Sequence, residues 1–152
     1  MHYARQQDIV VRLNQDIYLE FDLAIIEMTN TLRDGEPGLY IWGGECVLAL
    51  PDHPGEGGRC QSLALGMAGY IKHMNIVMLA AGTDGNDGTG EVAGAFVDGF
   101  TIQQGEALGL NAVVELKKAN AGFYLSELGN LIDTGPTHSN VTDLIIALKY
   151  SD

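Results

Sequence analysis

Ile76-Val77-Met78-Leu79-Ala80-Ala81-Gly82-Thr83-Asp84-Gly85-Asn86-Asp87-Gly88 decides how the rest of the chain is read. The six apolar residues have the length and flanks of a buried strand, and a polar loop follows without a break. Within that loop Gly82, Gly85 and Gly88 permit positive φ and close backbone approach. Thr83, Asp84 and Asp87 carry the polar groups there. A strand that delivers such a loop to the end of a sheet predicts a site at that end.

Outward toward the N-terminus, Val10, Leu13, Ile17, Phe21, Ala24, Met28 and Leu32 recur in steps of three and four. This spacing predicts one long amphipathic helix, stopped by Asp34-Gly35-Glu36-Pro37-Gly38. Leu39-Tyr40-Ile41-Trp42 and Cys46-Val47-Leu48-Ala49-Leu50 read as short strands around Gly43-Gly44-Glu45. The loop Pro51 to Arg59 then feeds a helix marked by Leu63, Ala64, Met67, Ala68 and Ile71, which places Arg59 near a helix N-terminus. Toward the C-terminus, Val92 to Val97 fits either a strand or a helix, and strand is favoured. Short helices are predicted at Ile102–Leu108, Ala112–Lys118 and Ala121–Leu128, with Asn111 and Asn120 as N-caps of the last two and Gly129 as a stop. Val141 to Tyr150 reads as a closing strand. Strands interleaved with helices predict an α/β fold. The expected architecture is a single domain over 1–152, a layered sandwich with a mixed β-sheet flanked by helices. Residues 1–35 would hold a long N-terminal helix and 39–150 the α/β core.

Composition narrows the partners. With 46% hydrophobic residues the chain can bury a core, and 20 acidic against 8 basic residues give a net charge of -12. That sign opposes phosphate-backbone binding, so no nucleic-acid partner is expected. No apolar run reaches the length of a membrane span, and Met1 to Asp8 lacks the apolar core of a signal peptide. No membrane association and a cytoplasmic location are the expectation. Cys46 and Cys60 lack paired CxxC spacing, so reduced thiols rather than a metal site are expected.

The loops carry the chemistry. No glycine is followed by lysine, which excludes a Walker A loop, and no GxGxxG follows a strand, which excludes a nicotinamide fingerprint. A calcium loop of EF-hand type fails at Gly88, Thr89 and Ala95. A magnesium or substrate-hydroxyl role for Asp84 or Asp87 fits the spacing, and so do Asx-turns that merely shape the loop. Arg59 is the one basic residue within these glycine-rich loops. Its guanidinium could grip a carboxylate or phosphate in a bidentate fork, or pair structurally with an acid such as Glu45. Thr134-Gly135-Pro136-Thr137-His138-Ser139-Asn140 adds hydroxyls, an amide and a lone histidine.

Four segments in order resemble the MOFRL domain, the C-terminal domain of type II glycerate kinases and of sequences labelled hydroxypyruvate reductase. They are Gly43-Gly44-Glu45, Gly57-Gly58-Arg59-Cys60-Gln61, Ala81 to Gly88 with Ala93-Gly94-Ala95, and Thr134 to Val141. In that family a larger N-terminal domain with a Rossmann-like fold packs against this one, and glycerate and ATP bind in the cleft between them. The resemblance implies that Arg59 and Asp84 are catalytic, Arg59 holding an anionic group and Asp84 orienting or activating a substrate hydroxyl. It places Glu45, Thr83, Asp87, Thr137 and Asn140 with Arg59 as substrate-binding positions. Two departures stand out: Cys60-Gln61-Ser62 replaces the family's Asn-Gln-Glu, and the N-terminal domain with its lysine has no counterpart in these 152 residues.

The leading expectation is therefore a stand-alone domain carrying half of a glycerate 2-kinase cleft. It would use ATP and Mg2+ when paired with a separately encoded N-terminal kinase domain, or be repurposed for interaction. Two alternatives accompany it: an independent metal-assisted enzyme acting on a small anionic hydroxy acid through Asp84 and Asp87, and a homo-oligomeric interaction module.

Overall fold

A computed structural model describes residues 9–88 and 90–151. The apolar run forms a central strand of a six-stranded mixed sheet, and its alternating burial gives the sheet two unlike faces. The strands are β1 (Val11–Leu13), β2 (Gly38–Gly44), β3 (Ile76–Gly82), β4 (Gly94–Asp98), β5 (Leu131–Ile132) and β6 (Asp143–Lys149), in spatial order β1-β2-β6-β3-β4-β5. Only β1 and β2 run parallel; every other pair is antiparallel. On one face Tyr40, Trp42, Met78, Ala80, Ala95, Val97, Ile145 and Ala147 are buried in a single core with the helices.

The helices are α1 (Phe21–Asp34), α2 (Arg59–Tyr70), α3 (Thr101–Ala107), α4 (Ala112–Lys117) and α5 (Ala121–Glu127). Residues 60 to 68 of α2 are all buried, which marks it as the central helix of the layer. Among the described residues no helix is long and apolar enough to cross a membrane. The α/β class and the mixed sheet flanked by helices stand as read from the sequence.

Of the N-terminal helix predicted within residues 1–35, residues 1–8 lie outside the described residues, and among the rest it is shorter than its periodicity predicted. It begins at Phe21, and the segment before it lies along β2: Val11 to Leu13 pair with Leu39 to Ile41, and Ile17 bridges Gly44. Asn14 and Ile17 donate backbone N–H groups to the carbonyls of Ile41 and Gly43. Val10 is 57% exposed and Leu13 62%, so the helical spacing of those residues does not reflect one buried face. The predicted strand at 46–50 is absent as well, reduced to a bridge between Glu20 and Val47. Gly44, at φ 108°, turns the chain out of the sheet just before it. The remaining elements stand within a residue or two of their predicted positions, with β1 and the two-residue β5 added.

Capping chemistry explains two helix ends. The Asn111 side chain accepts the Val114 N–H at the start of α4, as predicted. Asn120 precedes α5 but caps elsewhere: its Oδ1 accepts from Glu56 N at 2.8 Å, pinning the glycine loop ahead of α2. Gly129, at φ 70°, ends α5 in the left-handed conformation.

Candidate functional site

The sheet register assembles the site. Asp143 is opposite Gly44 on one side and Gly82 on the other, so three strand ends and their loops emerge side by side. The N-terminus of α2 meets them there. Between them is a cavity of about 200 Å³ lined by Glu45, Arg59, Gly82, Asp84, Asn86, Asp87, Gly88, Asn140, Thr142 and Asp143. A larger cavity of about 740 Å³, bordered by Phe21, Ile25, Leu65 and Leu116, contains no residue of the four loops.

Arg59, the first residue of α2, is held in a fork by Asp143. Its Nε donates to Oδ2 at 2.7 Å and its Nη2 to Oδ1 at 3.0 Å, while Nη1 faces Glu45 Oε2 at 3.3 Å. The bond to Asp143 is the main cause that raises the guanidinium pKa further, opposing the effect of burial. The Asp143 side chain is only 10% exposed, against 44% for Glu45, so the two carboxylates hold Arg59 from very different environments.

Asp87 caps the same helix from another loop. Its Oδ1 accepts from Cys60 N at 3.0 Å; its Oδ2 accepts from Gln61 N at 2.8 Å and Gln61 Nε2 at 3.0 Å. These are the second and third amides of α2, which lack partners inside the helix. Burial pushes the Asp87 carboxyl above its usual range although the amides pull it down. Gly58 is required for this contact, since a Cβ there would stand 2.4 Å from Asp87 Cγ. Asp87 borders the cavity, but both of its oxygens are committed to the helix end.

Asp84 is half-buried at the cavity wall, and its Oδ1 accepts from Asn86 N at 3.0 Å in an Asx-turn. Its carbonyl accepts from Thr137 N, so the loop that follows β3 and the loop before β6 are stitched together. Gly85, at φ 89°, allows this approach, because a Cβ would collide with the Gly135 carbonyl. Thr83 Oγ1 donates to Thr142 O at 2.7 Å and accepts from Val141 N at 2.9 Å, and Thr137 Oγ1 donates to the Thr83 carbonyl. The hydroxyls of Thr83 and Thr137 thus join loops, and neither residue lines the cavity. Asn140 does line it, with Oδ1 accepting from Thr142 N at 3.2 Å.

The structure therefore gathers Glu45, Arg59, Asp84, Asp87 and Asn140 around one cavity. It adds Asn86, Thr142 and Asp143, which sequence reading missed. Asp143 was hidden because the predicted strand began at Val141; the available signal was an acid opening a run of apolar residues. His138 is exposed, and the cavity lining does not include it. Cys46 and Cys60 are free and buried, and burial pushes the Cys46 thiol up to about 11 and the Cys60 thiol further.

Comparison with known proteins gives the family and the fold. Residues 38–143 match the MOFRL family. A D-glycerate 2-kinase of Thermotoga maritima is 40% identical over 114 residues, covering 74% of this chain and 27% of that protein. A glycerate 2-kinase of Pyrococcus horikoshii is 34% identical over 115 residues, covering 76% of this chain and 26% of its own length. A crystal structure of glycerate kinase from Thermotoga maritima superposes with a TM-score of 0.91 at 31% identity, covering 98% of this chain and 38% of that one. The chain thus spans about a quarter of the length of these curated relatives. With the matched residues running from the start of β2 to the first residue of β6, and so through every loop of the cavity, the chain belongs to the MOFRL family.

Proposed function

We propose that this chain supplies one wall of a glycerate 2-kinase cleft, in which ATP phosphorylates glycerate once a kinase-type domain closes the other side. The observation that carries the reading is the charge balance of the cavity. Among the described residues that line it Arg59 is the one cation, alongside the carboxylates of Glu45, Asp84, Asp87 and Asp143. Phosphoryl transfer requires several negative charges to be held and neutralised together. A wall with this excess of carboxylates needs positive charge from outside, from a facing domain and from the Mg2+ that accompanies ATP.

Each residue then has a role. Arg59 takes an anionic group of the substrate, and Asp84 orients or activates the hydroxyl that receives the phosphoryl group. Glu45 and Asn140 complete the polar network, Asp87 fixes the start of α2, and Thr83 and Thr137 hold the loops in register. A facing domain on the same polypeptide or on another one satisfies this reading equally. The test is ADP release in a coupled assay with D-glycerate, ATP and Mg2+. The 152-residue chain alone is expected to be inert, and adding the separately produced N-terminal portion of the Thermotoga relative is expected to give turnover abolished by Arg59→Ala or Asp84→Ala. Robust turnover by the chain alone would overturn the half-cleft reading.

A second reading rests on the sheet face turned away from the helices. Ile41, Ile146, Leu79 and Phe96 are register neighbours across four strands, and Leu39, Leu148 and Val77 form a second apolar row beside them. Val77 is 39% exposed, Phe96 40% and Leu144 36%. A continuous apolar face of this kind favours association, in which two copies cover each other.

A further inference from the structure

Arg59 is held by two carboxylates that differ in burial and in contact geometry. Asp143 is nearly buried, grips Nε and Nη2 at 2.7 and 3.0 Å, and occupies the first position of a central strand. The residue before it, Thr142, is locked as well: at φ 74° it is a β-branched residue in the left-handed region. Its N–H donates to Asn140, its carbonyl accepts from Thr83 Oγ1 and N, and its Oγ1 accepts from Gly44 N. Such a backbone persists only where its surroundings determine it, and here four hydrogen bonds with Asn140, Thr83 and Gly44 do so. Glu45 has none of this support. Among the described residues its one ion-pair contact is Nη1, at 3.3 Å, with 44% of its side chain in solvent.

We propose that Asp143 is the positioning residue that aims Arg59 into the cavity, and that Glu45 is a displaceable counter-ion covering the outer Nη1 edge until an oxyanion takes its place. The fork consumes Nε and one Nη2 proton and leaves the outer edge of the guanidinium as the donor for a carboxylate or phosphoryl oxygen. Exchange at that edge replaces one exposed ion pair, which is weak, by another. Exchange at the inner edge would leave a nearly buried aspartate without its partner, which is far more costly. This assignment rests on the reading of the cavity as an anion-binding cleft wall, and it adds Asp143 and an order of exchange.

The test uses two substitutions that each remove one negative charge beside Arg59. Were these carboxylates simply part of the local field, Glu45→Gln and Asp143→Asn would both strengthen anion binding. Opposite signs are expected instead. Titration of the isolated chain with inorganic phosphate, followed by NMR of the Arg59 side chain, should show Glu45→Gln binding about fivefold more tightly than the parent. Asp143→Asn should bind more weakly than the parent and lose the solvent-protected Nε–H signal. In the parent protein that Nε–H signal should stay fixed as the Nη signals shift. Equal strengthening by both substitutions, displacement of the Nε–H signal by phosphate, or no phosphate binding by Glu45→Gln would each overturn the proposal. If Asp143→Asn does not fold, the Glu45→Gln titration and the parent's Nε–H signal decide alone. Acetate in a parallel titration separates the sources: preference for phosphate assigns the edge to a phosphoryl group, preference for acetate to a substrate carboxylate. None of these readouts requires turnover, so a failed kinase assay and a failed positioning assignment remain distinguishable.

Discussion

Asp87 shows how a loop carboxylate can belong to both a cavity and a helix. It stands 27 and 26 residues from the amides of Cys60 and Gln61 that it accepts, so the cap exists only in the folded chain. Asp87→Ala removes the acceptor from two buried N–H groups and the Gln61 amide, and is expected to cost about 1–3 kcal/mol in urea unfolding. Its titration gives a separate signature. Because burial raises the native pKa, the folded chain keeps this proton to higher pH than the unfolded chain does. The folded state thus binds more protons in that interval, and stability contributed by Asp87 falls as pH rises through it. Subtracting the unfolding free energies of Asp87→Asn from those of the parent between about pH 4 and pH 7 should reveal that slope. The cysteines provide a second check at this scale. Buried, with pKa values raised, Cys46 and Cys60 should resist Ellman's reagent in the native protein at neutral pH and react after denaturation.

At the scale of elements, α1 and β6 are tied end to end. Lys149 Nζ donates to the carbonyls of Leu32 at 2.8 Å, Arg33 at 3.3 Å and Gly35 at 2.6 Å, placing a cation on the C-terminal end of α1. Three carbonyl groups at that helix end are satisfied by one side chain from the sheet. Lys149→Met keeps the apolar stem but removes the donor, and is expected to lower stability by about 1 kcal/mol, with amide exchange accelerating first in the last turn of α1. β1 illustrates the opposite case, in which local pattern misleads. Helical spacing from Val10 to Phe21 is real in the sequence, but the backbone groups of this segment pair with β2. Pairing with an existing strand outweighs a weak helical preference.

At the scale of the whole molecule, the sheet has one face under helices and one without a covering element among the described residues. The apolar row Ile41, Ile146, Leu79 and Phe96 is expected to drive self-association of the 152-residue chain. Light scattering coupled to size exclusion should report a dimer that Phe96→Ser with Val77→Ser converts to monomer. A strictly monomeric parent chain would remove the homo-oligomer reading and leave the half-cleft reading untouched.

What the sequence determined by itself was the strand that carries Gly82 to Gly88, the loops rich in glycine, and the α/β class. These depend on short-range signals: an apolar run of strand length, turn residues, and caps within three residues of their helix. It also indicated Glu45, Arg59, Asp84 and Asn140, because each lies inside a recognisable loop motif. Only the tertiary structure decided which acid holds Arg59. Glu45 and Asp143 are both carboxylates, but Asp143 is 84 residues away in sequence and reaches Arg59 through the antiparallel register of β2, β6 and β3. The same register brought the Asp84 and Thr142 loops together, and turned the hydroxyls of Thr83 and Thr137 toward the backbone rather than the cavity. A sequence lists the donors and acceptors, but their partners are set by strand register and burial, which are properties of the whole fold.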